Sequence, residues 1–168
     1  MTGLRLPDLA MTPDERSKLI RQYADGPEVL KAALSRVPAQ ATKWRPAPAK
    51  WSVHEVVCHC ADSEMNAALR LRYLAAESAP RIVGYDQDAW TRAFDYHALD
   101  ADLALTLAEG ARRWTVPLLE RLSGEQWLKE GTHTEIGRYT AEDWQIDRNL
   151  AAWKARPSGG ASKGSIVA

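Results

Sequence analysis

The chain has 168 residues, and its 22 Lys+Arg balance 22 Asp+Glu, for a formal net charge of zero. That length predicts one domain large enough to bury a core without disulfides or a structural metal. Neutrality removes the electrostatic case for nucleic acid or an anionic membrane as partner, and no run approaches the roughly 18 consecutive apolar residues of a bilayer span. Arg5 and Asp8 stand where a secretory signal would be apolar, so a cytoplasmic location is expected. The two cysteines, Cys58 and Cys60, point about 200° apart on a helix and read as reduced thiols. With 27 Ala against 13 Val plus Ile, the composition leans toward helix.

In chain order, Thr12-Pro13-Asp14-Glu15 predicts a helix start, with Thr12 as cap, Pro13 in the first turn and Glu15 closing a capping box. That helix is expected to break at Gly26-Pro27 and resume over 28–37. The stretch 38–50 carries three prolines and reads as an extended loop, with Trp44 tucked against the core. Ser52-Val53-His54-Glu55 is a second capping box. The helix it opens runs to about Glu77, with Val53, Val56, Cys60, Ala67, Leu71 and Leu74 on one face. A loop over 78–88 and a short helix carrying Trp90 and Phe94 follow. Asp100 caps a third long helix reaching about Leu122, whose expected core stripe is Leu103, Leu107, Ala111, Trp114, Leu118 and Leu122. Pro117 is expected to kink that helix or end it early. Residues 123–138 read as a turn-rich link, and a last helix starts near Thr140 and ends near Arg156, with Ile146, Leu150 and Trp153 as core candidates. The seven Trp residues read as packing anchors. The domain reading is a bundle over 1–156 and a disordered Ser/Gly-rich tail over 157–168. The architecture expected is an all-α bundle of four main helices.

The segment from Trp51 through His59 to Glu64 resembles the second helix of the DinB/YfiT-like superfamily, whose pattern is a Trp-Ser/Thr opening followed by His-x-x-x-x-Glu. Further pieces agree in order: Tyr85-Asp86 with Trp90, then Gly131-Thr132-His133-Thr134-Glu135-Ile136-Gly137, then Tyr139 to Trp144, then Arg148 to Lys154. The resemblance covers roughly residues 11–156. It implies a four-helix bundle, often a homodimer, that holds a divalent metal, zinc or nickel, on three histidines. One of these lies on the second helix and a His-x-x-x-His pair lies on the last. In such proteins the metal activates a low-molecular-weight thiol such as mycothiol or bacillithiol, or serves a hydrolase.

By that resemblance the first metal ligand maps onto His59; Asp62, three residues on, reads either as an orienting partner for it or as part of a solvated helix face. The other two ligands have no counterpart, since no histidine follows His133. The second and third helices read as about 25 and 23 residues and the last as about 17, or roughly 25 Å at 1.5 Å per residue. A loss of about 14 residues, close to four turns, would keep the apolar stripe nearly in phase while removing the pair. His97 and His133 lack ligand spacing to a partner, and a structural or exposed role is expected of each. His54 and Cys58 share a face that should point outward, where two ligands make a weak site. Cys60 is expected inside. Three readings follow: a metal-dependent thiol S-transferase or hydrolase acting on a small molecule, with two of three ligands absent; a non-catalytic binding or structural bundle; or a defective copy prone to aggregation.

Overall fold

A computed structural model describes residues 10–154, with side chains to Asn149. The expected 157–168 tail lies outside the described residues, as do the side chains of Leu150 and Trp153. Four long helices make the body: α1 (Pro13–Leu34), α2 (Val53–Ala76), α4 (Ala101–Leu119) and α6 (Ala141–Lys154), with shorter α3 (Gln87–Ala93) and α5 (Gly124–Leu128) between them. In the bundle α1 packs on α4 and α6, and α2 packs on the same two, so α1 and α2 face each other across a diagonal. The all-α four-helix expectation is met. No helix of the described residues is long and apolar enough to cross a membrane.

The starts of these helices are local chemistry. Thr12, Ser52 and Ser123 each close a reciprocal capping box, with Glu15, Glu55 and Gln126. Asp100 caps α4 by accepting from the backbone of Asp102 and Leu103. Thr140 and Asp143 bond each other reciprocally at the start of α6, which begins where the sequence placed it.

The predicted break at Gly26-Pro27 does not occur; α1 runs through it. Pro27 has no N–H for the carbonyl four residues back, which is that of Tyr23. Arg112 of α4 supplies the missing donor, its Nη1 lying 2.9 Å from the Tyr23 carbonyl oxygen. The orphan acceptor that would normally break the helix is thereby satisfied from another helix.

The stripe assigned to the core side of the third helix is also corrected. Leu103, Leu107 and Trp114 are 65%, 41% and 73% exposed, and the buried positions are Ala104, Ala108, Thr115 and Leu119. The small residues bring α4 close to α2, and the bulky row lies one step, about 100°, around the helix. Trp44 is likewise exposed, not tucked in, whereas Trp127 and Trp144 are buried anchors.

The loops at 78–88 and 123–138 hold an unforeseen small sheet. Strand β1 (Arg81–Ile82) runs parallel to β2 (Gly131–His133), which pairs antiparallel with β3 (Gly137–Tyr139). Gly131 is required there, because a Cβ would sit 2.9 Å from the Pro80 carbonyl oxygen and 3.0 Å from Leu74. Gly137 takes φ +81° to close the β2–β3 turn. The sheet presses Ile82 and Tyr139 into a core shared with Tyr23, Leu71, Leu119 and Trp144.

Candidate functional site in the polar interior

Helix α2 carries polar side chains into the bundle at spacings of one and two turns. His59, Ser63 and Arg70 sit on it, with Ser63 and Arg70 buried. The His59 ring meets Trp51 edge-on at 4.9 Å and Tyr85 at 6.5 Å between centroids, and its Nδ1 is buried with no hydrogen-bond partner. Burial, reinforced by the positive charge of Arg148, lowers the His59 pKa to about 4, so its imidazole is neutral at pH 7.

Arg148 enters this interior from α6. The residue is 3% exposed, and its guanidinium donates from Nη1 to Ser63 Oγ at 2.7 Å, one helical turn beyond His59. Tyr85 completes the group. Its hydroxyl is buried without a hydrogen-bond partner, burial raises its pKa, and Ser63 and Arg148 are among its polar neighbours. Arg70 lies over the Tyr85 ring at 5.7 Å and donates to the Val83 carbonyl at 2.6 Å. Burial and Arg148 together lower the Arg70 pKa, which marks two cations held in one neighbourhood.

A second buried network closes the interior toward α1. Glu64 accepts from Tyr23 Oη at 2.8 Å and from Arg112 Nη2 at 2.7 Å, and Arg112 stacks over the Tyr23 ring at 4.5 Å. Cys60 is half-buried, and desolvation followed by Glu64 pushes its thiol up to about 11, so it is no nucleophile at neutral pH.

The other sequence candidates lie elsewhere. The Asp62 carboxylate accepts from the Tyr96 hydroxyl, and no hydrogen bond joins it to His59 among the described residues. His54 and Cys58 do not point outward. They are 8% and 2% exposed, covered by the start of α4 and the turn Tyr96–Ala98. His54 Nε2 donates to the Leu99 carbonyl at 3.0 Å and Cys58 Sγ to that of Tyr96 at 3.6 Å. The helical wheel misplaced them because α2 is covered on more than one face. His97 bonds Ser52 Oγ at 2.8 Å beside Glu55, whose carboxylate the Arg45 guanidinium holds down at about 2. His133 is buried in β2, where its Nδ1 accepts from the Glu135 backbone at 3.2 Å and its Nε2 has no partner.

This interior does not fit a divalent metal. A catalytic zinc takes about three protein ligands. Among the described residues no three His, Cys, Asp or Glu side chains converge on one point. No residue of those four types follows Asp147 in the sequence. The charge that α6 brings to the His59 neighbourhood is the Arg148 guanidinium, a cation that repels a second one. Sequence reasoning gave no site role to Arg148 or Ser63, although both lie in segments that carry the resemblance. A usable signal for Ser63 was its i+4 spacing from His59, which places both on one face.

The profile of the DinB superfamily matches residues 22–146. A Bacillus licheniformis protein is 29% identical over 151 residues, covering 84% of this chain and 86% of that one. An Oceanobacillus iheyensis protein is 32% identical over 108 residues, 63% of this chain but only 59% of that protein's length. Both are provisionally named metal-dependent hydrolases. Among solved structures, YfiT from Bacillus subtilis, described as a probable metal-dependent hydrolase with an unusual four-helix bundle topology, superposes with a TM-score of 0.77 at 25% identity. That superposition covers 90% of this chain and 86% of YfiT. The profile match over most of the chain, with the shared bundle, places this protein in the DinB superfamily.

Proposed function

We propose that this member of the DinB superfamily binds a small molecule in its polar interior without the metal that its relatives' names imply, and that it is not itself a metal-dependent hydrolase or thiol S-transferase. The observation that carries this reading is Arg148, buried and bonded to Ser63 one turn from His59. A fixed positive charge in low-dielectric surroundings opposes a dication far more strongly than it would in water. The missing ligands act in the same direction: His59 alone falls short of the three donors that hold a catalytic metal.

The competing reading keeps the metal chemistry. It is favoured by the open His59 Nδ1 and by the names of the relatives. Metal content per chain separates the two. Purified protein is incubated with zinc or nickel, freed of loosely held ions and compared with His59→Ala. The expected result is no stoichiometric metal in either protein. Near one equivalent in the parent, lost in His59→Ala, overturns the proposal and restores the hydrolase or thiol-transfer reading.

A further inference from the structure

We propose that the guanidinium of Arg148, with the Tyr85 hydroxyl and the His59 ring beside it, is the receptor for the carboxylate of a small aromatic acid. The inference rests on the metal-free reading above and goes beyond it by naming the ligand class. Its first support is charge. Arg148 is 3% exposed, yet its hydrogen bond goes to the neutral Ser63 hydroxyl, and it forms no ion pair with a carboxylate among the described residues. Arg112 has a carboxylate, Glu64, at 2.7 Å. Buried charges are costly unless paired, so Arg148 has an unmet demand for an anion. Its remaining N–H groups form the planar fork that matches a carboxylate.

The second support is independent of the first. Two polar atoms in the same neighbourhood, Tyr85 Oη and His59 Nδ1, are buried with no hydrogen-bond partner. Native interiors rarely leave such atoms unpaired, and clustered exceptions mark places where a polar group is received from outside. Their rings are neighbours at 6.5 Å, and the Arg148 charge acts on both.

The walls define the rest of the ligand. Trp51 stands edge-on to His59 at 4.9 Å, and Trp90 lies against Tyr85 at 4.3 Å. Phe94 follows at 6.0 Å from Trp90 and is 57% exposed, so this aromatic row runs from the surface to the polar locus. Flat rings favour a flat apolar body by edge and offset contacts. One unpaired guanidinium at the end of an aromatic row fits a monoanion better than a phosphate dianion, which would bring more charge than Arg148 neutralises.

The test is calorimetric titration of the full chain with benzoate, and with inorganic phosphate as the alternative oxyanion. Metal content is measured on the same preparations. We expect one benzoate per chain, no comparable phosphate binding, and a loss of at least about 10-fold in affinity in Arg148→Met, since a charge-assisted bond is removed. Tyr85→Phe should weaken binding about 3-fold or more with unchanged circular dichroism. If Arg148→Met does not fold, Arg148→Lys keeps the charge but not the fork and should still lose affinity. Absence of benzoate binding in a metal-free parent overturns this inference and leaves the metal-free reading standing. Benzoate binding that is unchanged in Arg148→Lys and Tyr85→Phe, or stronger phosphate binding, also overturns it. Stoichiometric metal at His59 overturns the reading beneath it.

Discussion

Replacing Gly26 by Ala tests how α1 survives its internal proline. In an ordinary helix the substitution stabilises by about 1 kcal/mol. Here the new Cβ would lie 1.8 Å from Arg112 Nη1 and 2.9 Å from its Cζ. A flexible arginine would swing away, but this one is held on three sides. It donates to the Tyr23 carbonyl at 2.9 Å and to Glu64 at 2.7 Å, and it stacks over the Tyr23 ring at 4.5 Å. Moving it returns the Tyr23 carbonyl to the unpaired state that Pro27 creates, and it strips a 5%-exposed carboxylate of its cation. Breaking a buried pair costs about 3–5 kcal/mol, so the net expectation is about 2–4 kcal/mol of destabilisation. With a urea m-value of about 2 kcal/mol/M, the midpoint should fall by about 1–2 M. Far-ultraviolet circular dichroism in urea reads this directly. In an Arg112→Ala background the obstruction is gone, and Gly26→Ala should become neutral or stabilising by up to about 1 kcal/mol. A midpoint that stays level or rises in the Gly26→Ala single variant would refute the argument that Arg112 occupies the notch and holds the helix together.

Three further outcomes are expected. Leu119→Ala, at a 1%-exposed position, should cost about 2–5 kcal/mol in chemical denaturation, whereas Leu107→Ala, 41% exposed, should cost under about 1 kcal/mol; equal losses would mean that α4 buries its other face. The His59 imidazole, followed by NMR, should titrate near pH 4 instead of 6.5. Because the folded chain resists protonating it, stability should decline as pH falls from 6.5 toward 4. Arg148→Met should raise that midpoint without restoring 6.5, because burial is the larger cause. Glu55, held at about 2 first of all by Arg45, contributes stability that is present above its ordinary 4.5 and lost as pH falls through 2. Glu55→Gln should therefore flatten the acid limb of a stability profile, and an unchanged limb would show that another carboxylate governs it.

The candidate site was legible only in part. His59 is identifiable from the Trp51-to-Glu64 segment, and Tyr85 belongs to a segment that shares the resemblance. Arg148 also opens a segment that shares the resemblance, but an arginine on an amphipathic helix reads as a solvated residue until its neighbours are known. The same limit applies to Asp62. Its i+3 spacing from His59 allows a contact, but the Tyr96 hydroxyl, 34 residues away, engages its carboxylate.

What the sequence determined by itself is the four long helices and where they begin. Thr12, Ser52, Asp100 and Thr140 cap through bonds that reach only two or three residues, so their geometry is written in adjacent positions. The bundle class follows from those helices and their apolar content. Tertiary structure decided whatever depended on a distant partner. Arg112, 89 residues from Tyr23, turns an expected helix break into a continuous helix. Arg81 and Ile82 become a strand only because Thr132 and His133 lie beside them. Small residues on α4 let the helices approach and leave the larger apolar row outside. Arg148 enters the interior through Ser63, 85 residues earlier, and makes that interior cationic. Capping reads the nearest few residues and is therefore local, whereas burial, charge pairing and strand pairing depend on which segments pack together.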